Sequence, residues 1–463
     1  MKHYFLTFLL AIFSVAGFAQ EYSLGMELDD EKYAEVPLKA TLMTRDYTSL
    51  PAKASLKKWC PIPKSQGRYG TCVGWSSAYA ARTIVEARSK GWTDKQKITS
   101  NTFSPGFLYK LIKYKSDYGC KRGSHISDAM QVMMNRGVPK YTVLPTSCVS
   151  EIPSNVFNKA NSYKIQDYAR LFDQGYGKNL KIRSMKKSLA AGHPIVIGMK
   201  CPRSFFKAKG FWKPLENPNL RYGGHAMCVI GYDDNKYGGA FEIMNSWGTK
   251  WGNQGFIWIK YDDFANFTKY AYEVIYFPKE LPGKVDLSGE LKFVLASGKT
   301  MEADYLRQTN KVAYYKMKKP YASGTQFRMY ISNNQPAYVY AIGSDLTEKT
   351  FMIFPNSSRI SPALNYKSNN VAIPGEAYYI KMDNKIGTDY MCFLYSKKKL
   401  NIRQIRRQLR KHSGSLVDRI EKVLGNDLIN SKNARFGNEK MKFQVASGKK
   451  SVAAIVVEIT HVR

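Results

Sequence analysis

Three short segments of the chain hold residue types that can perform nucleophilic chemistry together. In Gln66-Gly-Arg-Tyr-Gly-Thr-Cys72-Val-Gly-Trp75-Ser-Ser-Ala, Cys72 opens a run of helix formers that reaches about Arg88. The free N–H groups and dipole at a helix start stabilise a thiolate, and the thiolate is the nucleophile. Gln66, upstream on a Gly-rich turn, carries an amide able to donate to a developing oxyanion. In Arg221-Tyr-Gly-Gly-His225-Ala-Met-Cys228-Val-Ile, His225 stands immediately before an apolar, strand-like run that would hold it rigidly. In Ile243-Met-Asn245-Ser-Trp247-Gly-Thr-Lys-Trp251-Gly, the Asn245 amide oxygen can accept from an imidazole N–H and fix its tautomer, with Trp247 excluding water. Cys, then His, then Asn is one chain order of nucleophilic catalysis. Taken singly, Cys72 reads as an inert buried thiol and His225 as a core histidine; the three segments together outweigh that. His125, His193, His412 and His461 have no such partner motif and read as structural or surface residues, Asp233 as a turn residue, and Cys228 as a small core hydrophobe.

These segments closely resemble the papain-like cysteine peptidases over roughly residues 46–280. The family pattern of Gln, Gly-Ser-Cys, Gly-His and Asn-Ser-Trp-Gly followed by Trp-Gly falls on Gln66, Cys72, His225, Asn245 and Trp247. Gly119-Cys120-Lys-Arg122-Gly123-Ser-His-Ile-Ser-Asp128 is similar to the family's Cys-x-Gly-Gly segment. The resemblance implies a Cys72–His225 pair that attacks peptide carbonyls, Asn245 orienting the imidazole, and an oxyanion hole of Gln66 and the Cys72 N–H. It places Gly123 along the substrate cleft and Val274 at the floor of the main specificity pocket; a shift of one residue would put Glu273 there instead. The sequence departs from the family at Val73, Tyr69 and Arg122. Tyr69 stands where the usual disulfide partner of Cys120 would be, and Cys148 is the expected replacement. The family's long helical propeptide has no counterpart, so no such inhibitory step is expected.

The elements that must position these residues follow from composition and pattern. Residues 1–19 read as a signal peptide: Lys2, a short apolar core, and small residues at Gly17 and Ala19. Residues 20–45 form a short, mildly acidic leader, and 46–282 the peptidase domain. That domain is mainly helical to about residue 165 and strand-rich afterwards, which suits a two-lobed α+β fold with a helical lobe and a β-barrel-like lobe. Lys279-Glu-Leu-Pro-Gly-Lys284 reads as a linker. Residues 285–463 alternate in strand fashion at Ala337-Tyr-Val-Tyr-Ala-Ile, Lys349-Thr-Phe-Met-Ile-Phe and Ala377-Tyr-Tyr-Ile. They resemble an uncharacterised bacterial domain that follows exported peptidases. A mainly β, sandwich-like accessory domain with a basic helix is expected, with no Cys/His, Ser/His or paired-carboxylate arrangement of its own.

The 463 residues include 71 Lys+Arg and 36 Asp+Glu, a net charge of +35. Apolar residues at 44% exclude global disorder, and after the first 20 residues no long apolar run remains, which excludes a multi-span membrane protein. Charge alone would admit nucleic acid, anionic lipid or acidic substrates. It is shared between the halves, +19 before residue 285 and +16 after, and no nucleic-acid-binding motif accompanies it. The densest run, Lys397 to Lys411, interleaves eight basic residues with Leu400, Ile402, Ile405 and Leu409; it reads as a helix with its apolar face on the β core, or as a contact for an anionic surface. No CxxC or CxxH spacing points to a metal, and no cofactor is expected. The sequence therefore reads as an exported cysteine peptidase acting on protein or peptide substrates in the periplasm, at the surface or outside the cell. The rival reading is a papain-fold binding protein of the cell envelope with impaired catalysis.

Overall fold

The computed structural model describes residues 22–40, 50–277, 285–308, 311–344, 349–366, 369–430, 433–438 and 440–463. The expected signal peptide, the linker, and leader residues 20, 21 and 41–45 lie outside the described residues.

The helical lobe is built around one continuous helix from Cys72 to Ser89, with a wider π-helical turn pattern from Trp75 to Arg82. Every residue from Cys72 to Ala87 is buried, its Ala, Val, Trp and Tyr side chains in the core and its one charged pair, Arg82 and Glu86, bonded to each other at 2.9 Å. Helices Pro105–Ile112 and Ile126–Asn135 pack beside it. Pro105 stands in the first turn and the Ser104 hydroxyl caps the Phe107 N–H, which starts the helix at that point. Cys120 and Cys148 form the disulfide that closes this lobe, with Cα atoms 5.8 Å apart.

The second lobe is a twisted sheet in the order Asp167–Arg170, Thr268–Ile275, Ile195–Cys201, Gly223–Asp233, Ala240–Met244, Phe256–Lys260, Gly210–Trp212. Its Val/Ile-rich strands are buried on both faces, between helix Lys178–Ala190 on one side and the Cys72 helix on the other. Two additions extend the edge: leader strand Leu38–Lys39 pairs in parallel with Asp167–Arg170 at Leu38↔Arg170, and Ile360–Ser361 of the C-terminal part pairs in parallel with the leader strand.

Residues 285–463 form two packed sheets. One is centred on Leu287–Leu295 and Gln326–Asn333, the other on Val452–Val462 between Val312–Met317 and Gly387–Ser396. Leu291, Phe293, Ile331, Val339, Phe393 and Ile455 interdigitate between them. Helices Ile402–Leu409 and Leu416–Leu424 cover the outer face of the second sheet. Ile405, Leu409, Ile420 and Leu424 turn inward, while Arg403, Arg407, Arg410 and Lys411 point to solvent. Within the described residues no helix is long and apolar enough to cross a membrane.

Candidate active site

The register of the β lobe explains how the three sequence segments meet. Cys228 pairs with Met244 and Val229 with Ile243; continuing that antiparallel register past the strand end brings the 245–247 segment alongside His225. His225 Nε2 lies 2.8 Å from Asn245 Oδ1. The Ser246 N–H donates to the same oxygen at 2.7 Å, so that atom is an acceptor and Nε2 carries the proton. Nδ1 is then the free base; it is buried and takes no hydrogen bond among the described residues. Trp247 stacks on the imidazole at 4.6 Å between centroids, and both rings are fully buried.

Cys72 opens its helix against the same strand. Its sulfur accepts from the Ala226 N–H at 3.4 Å, and the N–H groups of Val73, Cys72 and Gly25 also favour its ionised form. Burial outweighs them and pushes the thiol up to about 12. Burial likewise drives His225 down to about 4, against the Asn245 hydrogen bond. In this closed state the pair is a neutral thiol and a neutral imidazole.

The reason for the burial is the leader. Residues Tyr22 to Glu27 run through the cleft as an extended strap between the lobes. Met26 N–H donates to Gly224 O at 3.1 Å, Ser124 N–H to Gly25 O at 3.1 Å, and Glu27 N–H to Ser124 O at 3.0 Å. The approach is so close that glycine lines both walls. A Cβ on Gly25 would fall 2.0 Å from Gly70 O, one on Gly123 (φ +100°) 2.8 Å from Gly25 O, and one on Gly224 2.2 Å from Met26 O. Ser23 O receives the Gln66 side-chain N–H at 3.0 Å and the Trp247 indole N–H at 3.2 Å. Two side-chain donors therefore converge on a carbonyl oxygen. Ser246 Oγ donates to Gln66 Oε1 at 2.6 Å and keeps the amide turned that way. Tyr22 stacks on the Trp247 ring at 4.8 Å.

The structure thus gathers Cys72, His225, Asn245, Gln66, Trp247 and Gly123 around one cleft. Val274 is not beside the strap. The Met26 side chain lies against Gly198 and Tyr270, whose Cδ2 would be 3.0 Å from a Cβ on Gly198. Val274 is four residues further along the same strand, about 13 Å at the usual rise, and packs in the peptidase core. Glu273 points to the opposite face, toward the C-terminal domain. Arg122 does not obstruct the cleft: it is exposed, stacked over Tyr114 at 4.8 Å and bonded to Ser116. Sequence reasoning missed Ser246, Tyr270 and the strap. The sequence expectation is confined to a long helical propeptide and does not foresee that a six-residue passage of the leader covers Cys72. A glycine at position 25 within an acidic leader was the available signal.

The description "Papain family cysteine protease" matches residues 54–276, and a "Domain of unknown function (DUF4384)" matches residues 320–399. An uncharacterized peptidase C1-like protein of Acanthamoeba polyphaga mimivirus is 26% identical over 229 residues, 46% of this chain and 70% of that protein. Cathepsin K of Mus musculus is 29% identical over 196 residues, 42% of this chain and 54% of its own length, so the chain spans about half of that relative. Among solved structures, xylellain, a cysteine protease from Xylella fastidiosa, is 22% identical, covering 55% of this chain and 96% of that one, at a TM-score of 0.45. Residues 54–276 are a cysteine protease domain of the papain family.

Proposed function

We propose that this domain hydrolyses peptide bonds through Cys72, His225 and Asn245, as an exported enzyme whose cleft is first occupied by its own leader. The observation that carries the reading is that one strap crosses both groups, the Gln66 amide donating to Ser23 O and the Gly25 N–H reaching the Cys72 sulfur, with His225 held as a base by Asn245. In the derived reaction the Cys72 S–H proton passes to His225 Nδ1 as sulfur bonds to the substrate carbonyl carbon. The oxygen takes up the π-electron pair and is held by Gln66 and the Cys72 N–H. The C–N bond then breaks, and the imidazolium returns its proton to the departing amine. Water, deprotonated by His225, attacks the thioester; the C–S bond breaks and the free thiol is restored. Displacement of the leader strap precedes the first step, since Gly25 and Ser23 occupy the ground a substrate needs. The signal-like first 19 residues support export, and the exposed arginines of helix Ile402–Leu409 support retention near an anionic surface.

The test is Cys72→Ala in the mature chain carrying Gly25→Trp, which frees the cleft of the strap, with Gly25→Trp alone as the active reference. Hydrolysis of fluorogenic peptides should be abolished with thermal unfolding unchanged. With the strap displaced, a thiol-directed epoxide should label Cys72 and spare Cys60, Cys201, Cys228 and Cys392, which stay buried in the core. Retained hydrolysis in the alanine variant overturns the assignment.

A further inference from the structure

The strap shows what chemistry the cleft is built to hold, because it is a peptide already seated there. Moving away from Cys72, its side chains alternate between a dry pocket and a polar wall. Met26 is 4% exposed and fills the apolar pocket of Gly198, Gly224 and Tyr270. The next residue, Glu27, meets one hydrogen-bond donor and one imidazole of the helical lobe. Tyr114 Oη donates to Glu27 Oε2 at 2.7 Å, and His125 Nε2 lies 3.4 Å from the same oxygen. Arg122 stacks over the Tyr114 ring and adds positive potential. The Asp128 carboxylate on this wall is paired with Lys32 at 2.8 Å. Further out, Asp30 accepts from Tyr270 Oη at 2.7 Å and pairs with Lys269 at 3.1 Å. The apolar pocket on its own would accept any long aliphatic side chain. The Tyr114–His125 pair beside it has no comparable use for a neutral or basic one.

Resting on the peptidase reading above, we propose that Tyr114 and His125 are specificity-determining residues, and that the enzyme selects peptides carrying an acidic residue one position farther from the scissile bond than a long aliphatic residue held against Tyr270. Charge-assisted hydrogen bonds are about twice as strong as neutral ones, and the Tyr114 bond to a carboxylate, with the His125 ring beside it, separates Glu from Gln by about tenfold.

The experiment uses the full mature chain with Gly25→Trp, which cannot seat the strap. Fluorogenic peptides with Met fixed in the pocket position and Glu, Gln or Lys at the outer neighbour are compared by kcat/KM. We expect Glu over Gln by about tenfold and Lys lowest, and the Glu/Gln ratio to fall toward one in Tyr114→Phe combined with His125→Ala. Equal rates for Glu and Gln, or a preference that survives both substitutions, overturn the proposal. Binding of the same peptides to a Cys72→Ala, Gly25→Trp chain is read alongside by fluorescence anisotropy. If no peptide is cleaved but Glu still binds more tightly than Gln, the peptidase reading fails and the specificity stands; cleavage without preference has the opposite meaning.

Discussion

At the scale of single residues, Gln66 is the clearest case of a side chain whose work is electrostatic. Its amide N–H already holds a carbonyl oxygen, Ser23 O, and Ser246 prevents it from rotating. A preorganised donor of this kind contributes about 10²–10³ in turnover. Gln66→Ala should therefore lower kcat by about that factor in strap-free enzyme while KM changes little, because the donor acts on charge that develops after binding. A loss confined to KM would show that Gln66 only helps hold the ground state. Residues of this class were legible in the sequence because their motifs are local: Gln66 and Cys72 share one turn, and Asn245 and Trp247 share another. Tyr270 was not legible. The family resemblance, counted back from Pro278, pointed to Val274, but which strand residue reaches the cleft depends on where the strand lies in the sheet, and that is fixed by pairing with Ile195–Cys201.

At the scale of elements, the strap raises a question of balance. Burying the Met26 side chain contributes about 2 kcal/mol, and a few hydrogen bonds add about 1 kcal/mol each. Ordering six residues costs about 1–2 kcal/mol apiece. The strap would not hold as a free peptide; it holds because the chain on its C-terminal side is anchored. Helix Asp30–Glu35 is capped by Asp29, buries Tyr33 against Phe172 and Tyr272, and delivers the chain to strand Leu38–Lys39. The tether keeps the local concentration of the strap high. Gly25→Trp should therefore leave the fold intact and empty the cleft, since a Cβ there meets the Gly70 carbonyl. Iodoacetamide labelling of Cys72 should accelerate by tenfold or more, the factor given by about 1.4 kcal/mol of lost strap binding. Unchanged labelling would mean the strap is not what shields the thiol. The Cys72 helix was readable from its run of helix formers. The strap was not, because it has neither helical nor strand periodicity and takes its conformation from two walls that are distant in sequence.

At the scale of the molecule, the leader also joins the two domains. Its strand lies between peptidase strand Asp167–Arg170 and Ile360–Ser361, and Lys39 enters a buried cluster around Glu273. That carboxylate accepts from Lys39, from Asn365 and Tyr366 of the C-terminal domain at 2.7 Å each, and from Ser188 at 2.6 Å. Burial alone would raise Glu273; the Lys39 ammonium, with His193 and the hydrogen bonds, brings it down to about 2. Burial lowers Lys39 to about 8 even though Glu273 opposes it, which still leaves it charged at neutral pH. None of this joint was legible in the sequence, where Lys39 and Glu273 are 234 positions apart and Glu273 reads only as an alternative floor of the specificity pocket. The joint and the active site give the whole molecule an acid response with a definite sign. His225 and His193 are both lowered by burial from 6.5 to about 4. Between those values the unfolded chain binds protons that the folded chain does not, so stability is complete above pH 6.5 and falls as pH drops toward 4. Each histidine contributes at most about 3 kcal/mol to that loss. Glu273 acts in a lower window: its stabilisation is present above about 4.5 and disappears only as pH falls toward 2. Urea unfolding measured from about pH 7.5 to 4.5 should therefore show stability falling from about pH 6.5, above the window in which Glu273 acts. The Cys72 thiol should become accessible in the same range, because protonating His225 is incompatible with the strap lying over it. A stability profile that stays flat down to about pH 4.5 would show that His225 is not held neutral in the closed cleft, nor His193 in the joint.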